Sequence, residues 1–305
     1  MKLTRRAFVR SGAIFIPSLA TIVRGQLPAV PLQRFSGSSL AALVTAWQAR
    51  VISNGGASPS GATLTAVNTW YNALASAGID TLMKEVNFFA PDSVIAAKTP
   101  FILTREAALW TAATSTVSVD GLSTDASTVV NTAGSGPNYF TDGSCGMTWY
   151  GQAPGAKPDQ IQCGTGVGGN AQCIFLYPTV GVSYVYPGSP FCFVAVPASP
   201  FSNNDFGMLS LNRVATNDLR VFWGNNAITP VQAGSTVTNS CGSAPTTTPS
   251  WNVGTSAGTG GRFLYNFGSA YIHSLFAVHL GMTLTQVKAL QSATATLRLA
   301  FGGHA

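Results

Sequence analysis

Gly268-Ser-Ala-Tyr-Ile-His-Ser-Leu-Phe-Ala-Val-His-Leu-Gly-Met-Thr-Leu-Thr-Gln286 is the stretch on which the fold turns. Ala270–Leu280 reads as a last β-strand. Thr283 and Gln286 then form a T-x-x-Q capping box. Leu284, Val287, Leu290 and Leu297 share one face of a closing helix expected over 284–299.

Upstream of this stretch, short apolar segments alternate with turn clusters from about Phe101 onward. Thr116–Val119, Gly146–Tyr150, Cys173–Tyr177, Ser183–Tyr186, Phe191–Val196, Gly207–Asn212 and Leu219–Trp223 are predicted strands. Gly224-Asn225-Asn226 reads as a turn and Pro245–Pro249 as a loop. No repeat of 20–50 residues marks a solenoid or propeller. Strands in this number without long intervening helices predict a mainly β, antiparallel two-sheet jelly-roll sandwich.

Residues 26–100 read instead as a helical segment packing on that sandwich, with the β domain and its closing helix over 101–305. Leu40, Leu43, Val44, Trp47 and Val51 mark a first amphipathic helix, capped by Ser38 or Ser39 and ended by Asn54-Gly55-Gly56. A second is expected from Gly61 to Ala77 with Leu64, Val67, Tyr71 and Leu74 as its stripe and Gly78 just beyond it. Asp80 caps a predicted third, short helix carrying Leu82, Val86 and Phe89 and stopping before Pro91.

Composition agrees with a turn-rich β protein. Of 305 residues only 9% are charged, while 46% are hydrophobic and 32 are glycine; an average domain carries about 25% charge. The formal net charge of +6 comes mostly from the N-terminus. Lys2, Arg5, Arg6, Arg10 and Arg24 account for five of the 16 basic residues, and without them 11 basic residues face 10 acidic ones. No basic stripe is left to displace counterions from a phosphate backbone, which argues against nucleic acid as a partner.

Residues 1–25, MKLTRRAFVRSGAIFIPSLATIVRG, read as an export signal peptide. The apolar run Ala13–Val23 is broken by Pro17 and is shorter than the roughly 20 residues that span a bilayer, so it is not a membrane anchor. Thr4-Arg5-Arg6-Ala7-Phe8-Val9-Arg10 resembles the twin-arginine export consensus, which places the chain in the periplasm, on the cell surface, outside the cell or on a virion.

The order of helices, strands, the hairpin Leu219-Arg-Val-Phe-Trp-Gly-Asn-Asn226 and the 268–286 stretch resembles the concanavalin A-like (laminin-G-like) jelly rolls of phage tail proteins and some secreted bacterial proteins. The resemblance covers about residues 40–301. It departs from the family's pattern in carrying Gly-Asn-Asn where Asn-Gly is usual, and in its Cys-rich middle. It implies recognition of glycan, or of cell-surface or particle components. The alternative is a structural or assembly protein of a tail-like or envelope-associated particle, with self-association into a homo-oligomer.

The sequence shows no paired carboxylates, catalytic triad or cofactor motif, so an enzyme is not expected. Among enzymes, glycoside hydrolysis is the activity such jelly rolls bring closest, and it uses two flanking carboxylates. The chain has two glutamates, Glu85 in a predicted helix and Glu106 before the strands. Asp120, Asp125, Asp142, Asp159, Asp205 and Asp218 sit mostly beside Gly, Asn or Ser, where turns explain them. Gly164–Gly169 lacks the lysine and the helix of a phosphate loop, so it reads as a hairpin tip. His273 and His279, six apart on the last strand, are expected to share a polar face without a third metal ligand. No metal is expected; Asn203-Asn204-Asp205 and Asn217-Asp218 offer oxygens for calcium but equally read as turns.

Five cysteines follow the signal: Cys145, Cys163, Cys173, Cys192 and Cys241. No C-x-x-C occurs, and export makes disulfides plausible; Cys163 and Cys173 flank the Gly-rich tip as the candidate pair. For ligand binding, an aromatic ring beside Asn and Gly suits the C–H face and hydroxyls of a sugar. Trp223 with Asn225 and Asn226 is the first such cluster; Trp149-Tyr150 and Trp251-Asn252 follow. Alternation sets Trp223 on the face of Leu219 and Val221, which also fits a core position.

If the export reading holds, replacing Arg5 and Arg6 together by Lys leaves precursor in the cytoplasm, because the route reads the guanidinium pair. Pulse-chase processing unchanged in that variant would refute it.

Overall fold

The helical stripes of the N-terminal segment form as their periodicity requires. The structure, a computed structural model, describes residues 40–103, 109–112, 115–124, 129–131, 144–152, 161–165, 172–177, 182–187, 206–215, 217–226, 229–237, 250–251, 259–260, 262–266 and 271–304. Helix α1 (Ala42–Ser53) buries Val44, Trp47 and Val51. Its N-cap is Ala41, which lends no side chain; the backbone N–H of Ala41 donates instead to Asn68 Oδ1 at 2.9 Å. The predicted caps Ser38 and Ser39 lie outside the described residues. Helix α2 (Gly61–Ser76) is capped by Ser60, whose hydroxyl accepts from the Thr63 N–H, and Gly78 follows at φ +65°, the left-handed value that glycine adopts without steric cost.

Where a third helix was expected, the chain forms strand β1 (Met83–Asn87). This is a correction with a plain cause. Glu85, Val86 and Asn87 pair with Val278, Ala277 and Phe276 on the last strand, and a ladder with a distant partner outweighs local helical spacing. The short helix lies further on, as α3 (Val94–Lys98), capped by the Ser93 hydroxyl at the Ala96 N–H.

The remaining strands are β2 (Thr111–Ala112), β3 (Thr116–Ser118), β4 (Gly121–Thr124), β5 (Val129–Asn131), β6 (Cys145–Gln152), β7 (Ile161–Thr165), β8 (Gln172–Tyr177) and β9 (Val182–Pro187). They continue with β10 (Phe206–Ala215), β11 (Asp218–Asn225), β12 (Val231–Val237), β13 (Ser250–Trp251), β14 (Thr259–Gly260), β15 (Arg262–Asn266) and β16 (Tyr271–His279). Helix α4 (Leu284–Ala300) closes the fold, with the expected Thr283–Gln286 capping box formed. Phe191–Val196, a predicted strand, lies outside the described residues.

Eight strands make one antiparallel sheet in the order β12-β11-β10-β6-β16-β4-β3, with β1 also paired to β16. Strand β6 sits at its centre, paired to β10 from Cys145 to Gln152 and to β16 from Gly146 to Gln152. The far edge of β16 is shared: its first residues pair with β4, its last with β1. Six more strands pair as β2-β5-β15-β7-β8-β9, and β13 pairs β14.

One face of the eight-stranded sheet meets the helices. Tyr150, Phe206, Met208, Phe222, Leu275 and Ala277 join Val44, Trp47, Val67, Trp70, Val287, Leu290 and Leu297 in a continuous core. Burial of each large side chain there is worth about 1.5–3 kcal/mol relative to exposure. Trp47, Trp70, Phe88 and Phe101 pack edge-to-face at ring-centroid distances of 4.9–6.5 Å. The other face carries Met147, Trp149, Leu209, Leu211, Leu219, Val221, Phe276 and Val278, all buried.

In the β7–β8 register Cys163 stands opposite Ile174 and Cys173 opposite Gly164, so the two candidate cysteines are not direct cross-strand partners.

Gly146 is the tightest point of the central ladder. A Cβ there would meet the His279 ring and would come within 2.6 Å of the Leu211 carbonyl oxygen. The carbonyl belongs to the adjoining strand and cannot retreat. Gly146→Ala is expected to lower the unfolding free energy by about 2 kcal/mol or more, measured by urea denaturation; a loss below about 0.5 kcal/mol, the level of ordinary surface substitutions, would show that the ladder can yield.

Candidate functional site

The predicted ligand residues separate sharply once the register is known. Trp149 and Tyr150 are both fully buried, on opposite faces of β6, and cannot stack on a ligand. The Trp149 indole N–H donates to His273 Nδ1 at 3.1 Å. Tyr150 stacks on Phe206 and donates its hydroxyl to Asn226 Oδ1 at 3.0 Å. Trp223 is half-buried on the face of Leu219 and Val221, as alternation required. Asn225 is a further correction: the β10–β11 ladder runs on to pair it with Gly207, so it is a strand residue only 6% exposed, and its carbonyl accepts from Gln291 Nε2 at 2.8 Å. The turn begins one residue later, at Asn226, which is exposed. Trp251 lies in β13, and Asn252 falls outside the described residues.

Asn226 stands at a groove of about 390 Å³ between the β11–β12 turn and α4. Thr229 and Pro230 form one wall; Lys288, Gln291, Ser292, Ala295, Thr296, Arg298 and Leu299 form the other. Apart from Lys288 and Arg298, the polar lining consists of amides and hydroxyls. Among the described residues of the lining there is neither Asp nor Glu.

The floor of this groove depends on a cluster that the sequence reading did not single out. Asp120, read there as a turn residue, is buried and receives Arg298 Nη1 at 2.7 Å and the His304 backbone N–H at 2.8 Å, both at Oδ1. His304 Nδ1 lies 2.6 Å from Oδ2. Burial alone would raise the Asp120 carboxyl; the His304 and Arg298 contacts outweigh it and hold the group below the usual carboxylate range. The Arg298 guanidinium also lies 3.8 Å over the Phe206 ring. Asp120 and Arg298 are 178 positions apart, and no local pattern links them.

His273 and His279 do not share a face. The register shifts between His273 and Leu275, so Ser274 is a bulge. The bulge is held on both sides, its hydroxyl donating to the Asp120 carbonyl at 2.6 Å and its carbonyl accepting from the Phe89 N–H at 3.1 Å. His273 accordingly faces Trp149 and Phe89, while His279 faces the helices.

His279 heads a buried chain of hydrogen bonds whose direction follows from its ends. Nδ1 lies 2.7 Å from the Leu280 carbonyl, which can only accept, so Nδ1 carries the proton and Nε2 accepts. Thr148 donates to Nε2 at 2.9 Å, Ser210 donates to Thr148 at 2.6 Å, and the Asn212 amide donates to Ser210 at 2.9 Å. Asn212 Oδ1 accepts the Met282 N–H at 2.8 Å and ties the chain to the turn before α4. Burial drives both imidazoles toward the neutral form: His279 to about 4, the Leu280 contact opposing, and His273 to about 3. These are structural histidines. Among the described residues no three His, Cys, Asp or Glu side chains come together to hold a metal. Both Asp218 oxygens are engaged by Arg220, at 2.6 Å each, which removes them from the calcium reading; Asn203–Asp205 lie outside the described residues.

No protein-family model and no curated protein matches the chain. Solved structures similar in part include a protein of unknown function from Shewanella oneidensis MR-1, at 12% identity over 66% of this chain and 87% of that one, with a TM-score of 0.37. They also include the Trypanosoma rangeli sialidase, at 10% identity over 74% of this chain and 38% of that one, with a TM-score of 0.39. A Caenorhabditis elegans galectin matches at 10% identity over 49% of this chain and 90% of that one, with a TM-score of 0.25. Among the described residues no helix is long and apolar enough to cross a membrane.

The two buried histidines set a pH dependence. Their folded values, about 3 and about 4, lie below the unfolded value of about 6.5. The unfolded chain therefore binds more protons than the folded one in that window, and stability falls as pH drops through it, by up to about 1.4 kcal/mol per histidine per pH unit. Loss of the depressed Asp120 carboxylate adds to this below about pH 4. Urea unfolding measured between neutral pH and about pH 4 is expected to show the slope; a flat profile would contradict buried neutral imidazoles.

Proposed function

We propose that this chain is an exported, non-catalytic binding protein of jelly-roll type, its two sets of strands stacked as a sandwich, that recognises glycan at the groove beside Asn226. The observation that carries the reading is the placement of Asn226. Its amide is exposed, its oxygen is positioned by the buried Tyr150 hydroxyl, and it opens onto hydroxyls and amides with Pro230 and Leu299 as apolar edges. Sugars present this same mixture of hydroxyls and C–H faces. The twin-arginine-like run supports an exported setting, and a lining whose described residues include no carboxylate supports binding rather than hydrolysis.

Asn226→Ala is expected to weaken glycan binding roughly two- to tenfold, the worth of one or two hydrogen bonds. It should cost about 1 kcal/mol of stability through the Tyr150 hydroxyl. Binding is read on a glycan array and by calorimetry, with and without calcium, and folding by melting temperature. No signal from folded protein on any glycan would remove this reading.

The alternative, an assembly protein, is favoured by a second groove of about 750 Å³ between α2 and α4. It is lined by Gly61, Ala62, Thr65, Thr69, Ala289, Ser292 and similar small residues around Trp70, with no charged residue in the lining. Light scattering that gives a defined multiple of the monomer mass alongside a silent glycan array would favour it.

A further inference from the structure

We infer that the groove beside Asn226 selects an anionic sugar, one carrying a carboxylate, with Lys288 at its mouth as the recognising cation. The inference rests on the glycan reading above and narrows it to a substrate class. Helix α4 carries two charged residues in its 17, Lys288 and Arg298, and both line this groove. They are ten positions apart, about 80° from one another around the helix, Lys288 on its exposed side and Arg298 on its buried one.

The two cations differ in role. Lys288 is exposed and free to reach a ligand. Arg298 is 3% exposed, with Asp120 on Nη1 and no acceptor at its buried Nε among the described residues. Asp120 is not among the described residues that line the groove. The guanidinium is engaged inside the fold, by Asp120, by the Tyr150 hydroxyl and by the Phe206 ring beneath it, so Lys288 is the cation a ligand can reach. Asn226, Thr229, Ser292 and Thr296 can satisfy a sugar's hydroxyls around a carboxylate placed at Lys288. An acidic side chain in the lining would cancel this selection, and none is there among the described residues.

The test compares a galacturonate trisaccharide with its fully methyl-esterified form, which keeps the hydroxyls and loses the charge, by calorimetry on the full chain. The acid should bind roughly two- to fivefold more tightly, the worth of an exposed ion pair. That advantage should fade as salt is raised from about 0.05 M to about 0.5 M. Lys288→Gln should abolish the acid-over-ester ratio, Lys288→Arg should keep it, and Lys84→Gln, on the distant β1, should not change it. Equal binding of acid and ester overturns the inference and leaves the glycan reading standing. Persistence of the ratio in Lys288→Gln also overturns it. Binding of neither ligand, nor of any other glycan, removes the underlying reading itself.

Discussion

Strand β6 is hydrogen-bonded along both edges for nearly its whole length, and the rest of the molecule is arranged around that constraint. With both edges used, β6 projects its side chains onto the two faces of the sheet, and from Gly146 to Gly151 both are buried. Polar groups enter only where partners wait. Thr148 becomes a link between Ser210 and His279; Trp149 gives its N–H to His273; Tyr150 reaches the rim at Asn226. Gly146 is small because the His279 ring and the Leu211 carbonyl occupy the space where a Cβ would stand. Polar groups buried this deeply would each cost several kcal/mol if left unmet. The closed hydrogen-bond chain turns that liability into a register lock between β6, β10 and β16.

A chain with so few charges places its buried ions selectively. The Asp120–Arg298 pair joins the β3–β4 turn to the last turns of α4, and Ser274 ties the same turn to the bulge in β16. Removing one member of such a pair costs about 3–5 kcal/mol, while the intact pair contributes little net stability. Its consequence is positional: it sets where α4 lies across the sheet. The apolar stripe of α4, including Val287, Leu290 and Leu297, supplies the energy of docking, and the ion pair supplies the register.

The helix that completes the core is therefore also one wall of the groove beside Asn226. Its inward face holds the sheet; its outward side, from Lys288 to Leu299, faces the β11–β12 turn. Recognition on such a surface works through groups already fixed by folding. Asn226 is held by Tyr150, and Arg298 by Asp120, so a ligand would meet prearranged donors and acceptors at low ordering cost.

Much of the helical part was legible in the sequence. The stripes of α1, α2 and α4, the glycine after α2 and the Thr283–Gln286 capping box depend on residues within a few positions of one another, and the 3.6-residue period reports them directly. The strong strands β6, β10, β11 and β16 were likewise legible as apolar runs between turns, though not their partners. Tertiary structure alone decided that Met83–Asn87 is a strand, because its ladder lies on β16, nearly 200 positions away. It decided that Ser274 bulges and sends His273 and His279 to opposite faces, and that Cys163 and Cys173 stand out of register. It decided that Asn225 is core and Asn226 is rim, a difference of one residue in how far a ladder runs. Helix signals are local, so the sequence by itself determined them; strand register and burial are set by partners remote in the chain, so only the folded structure could decide which polar residues face outward and which hold the core.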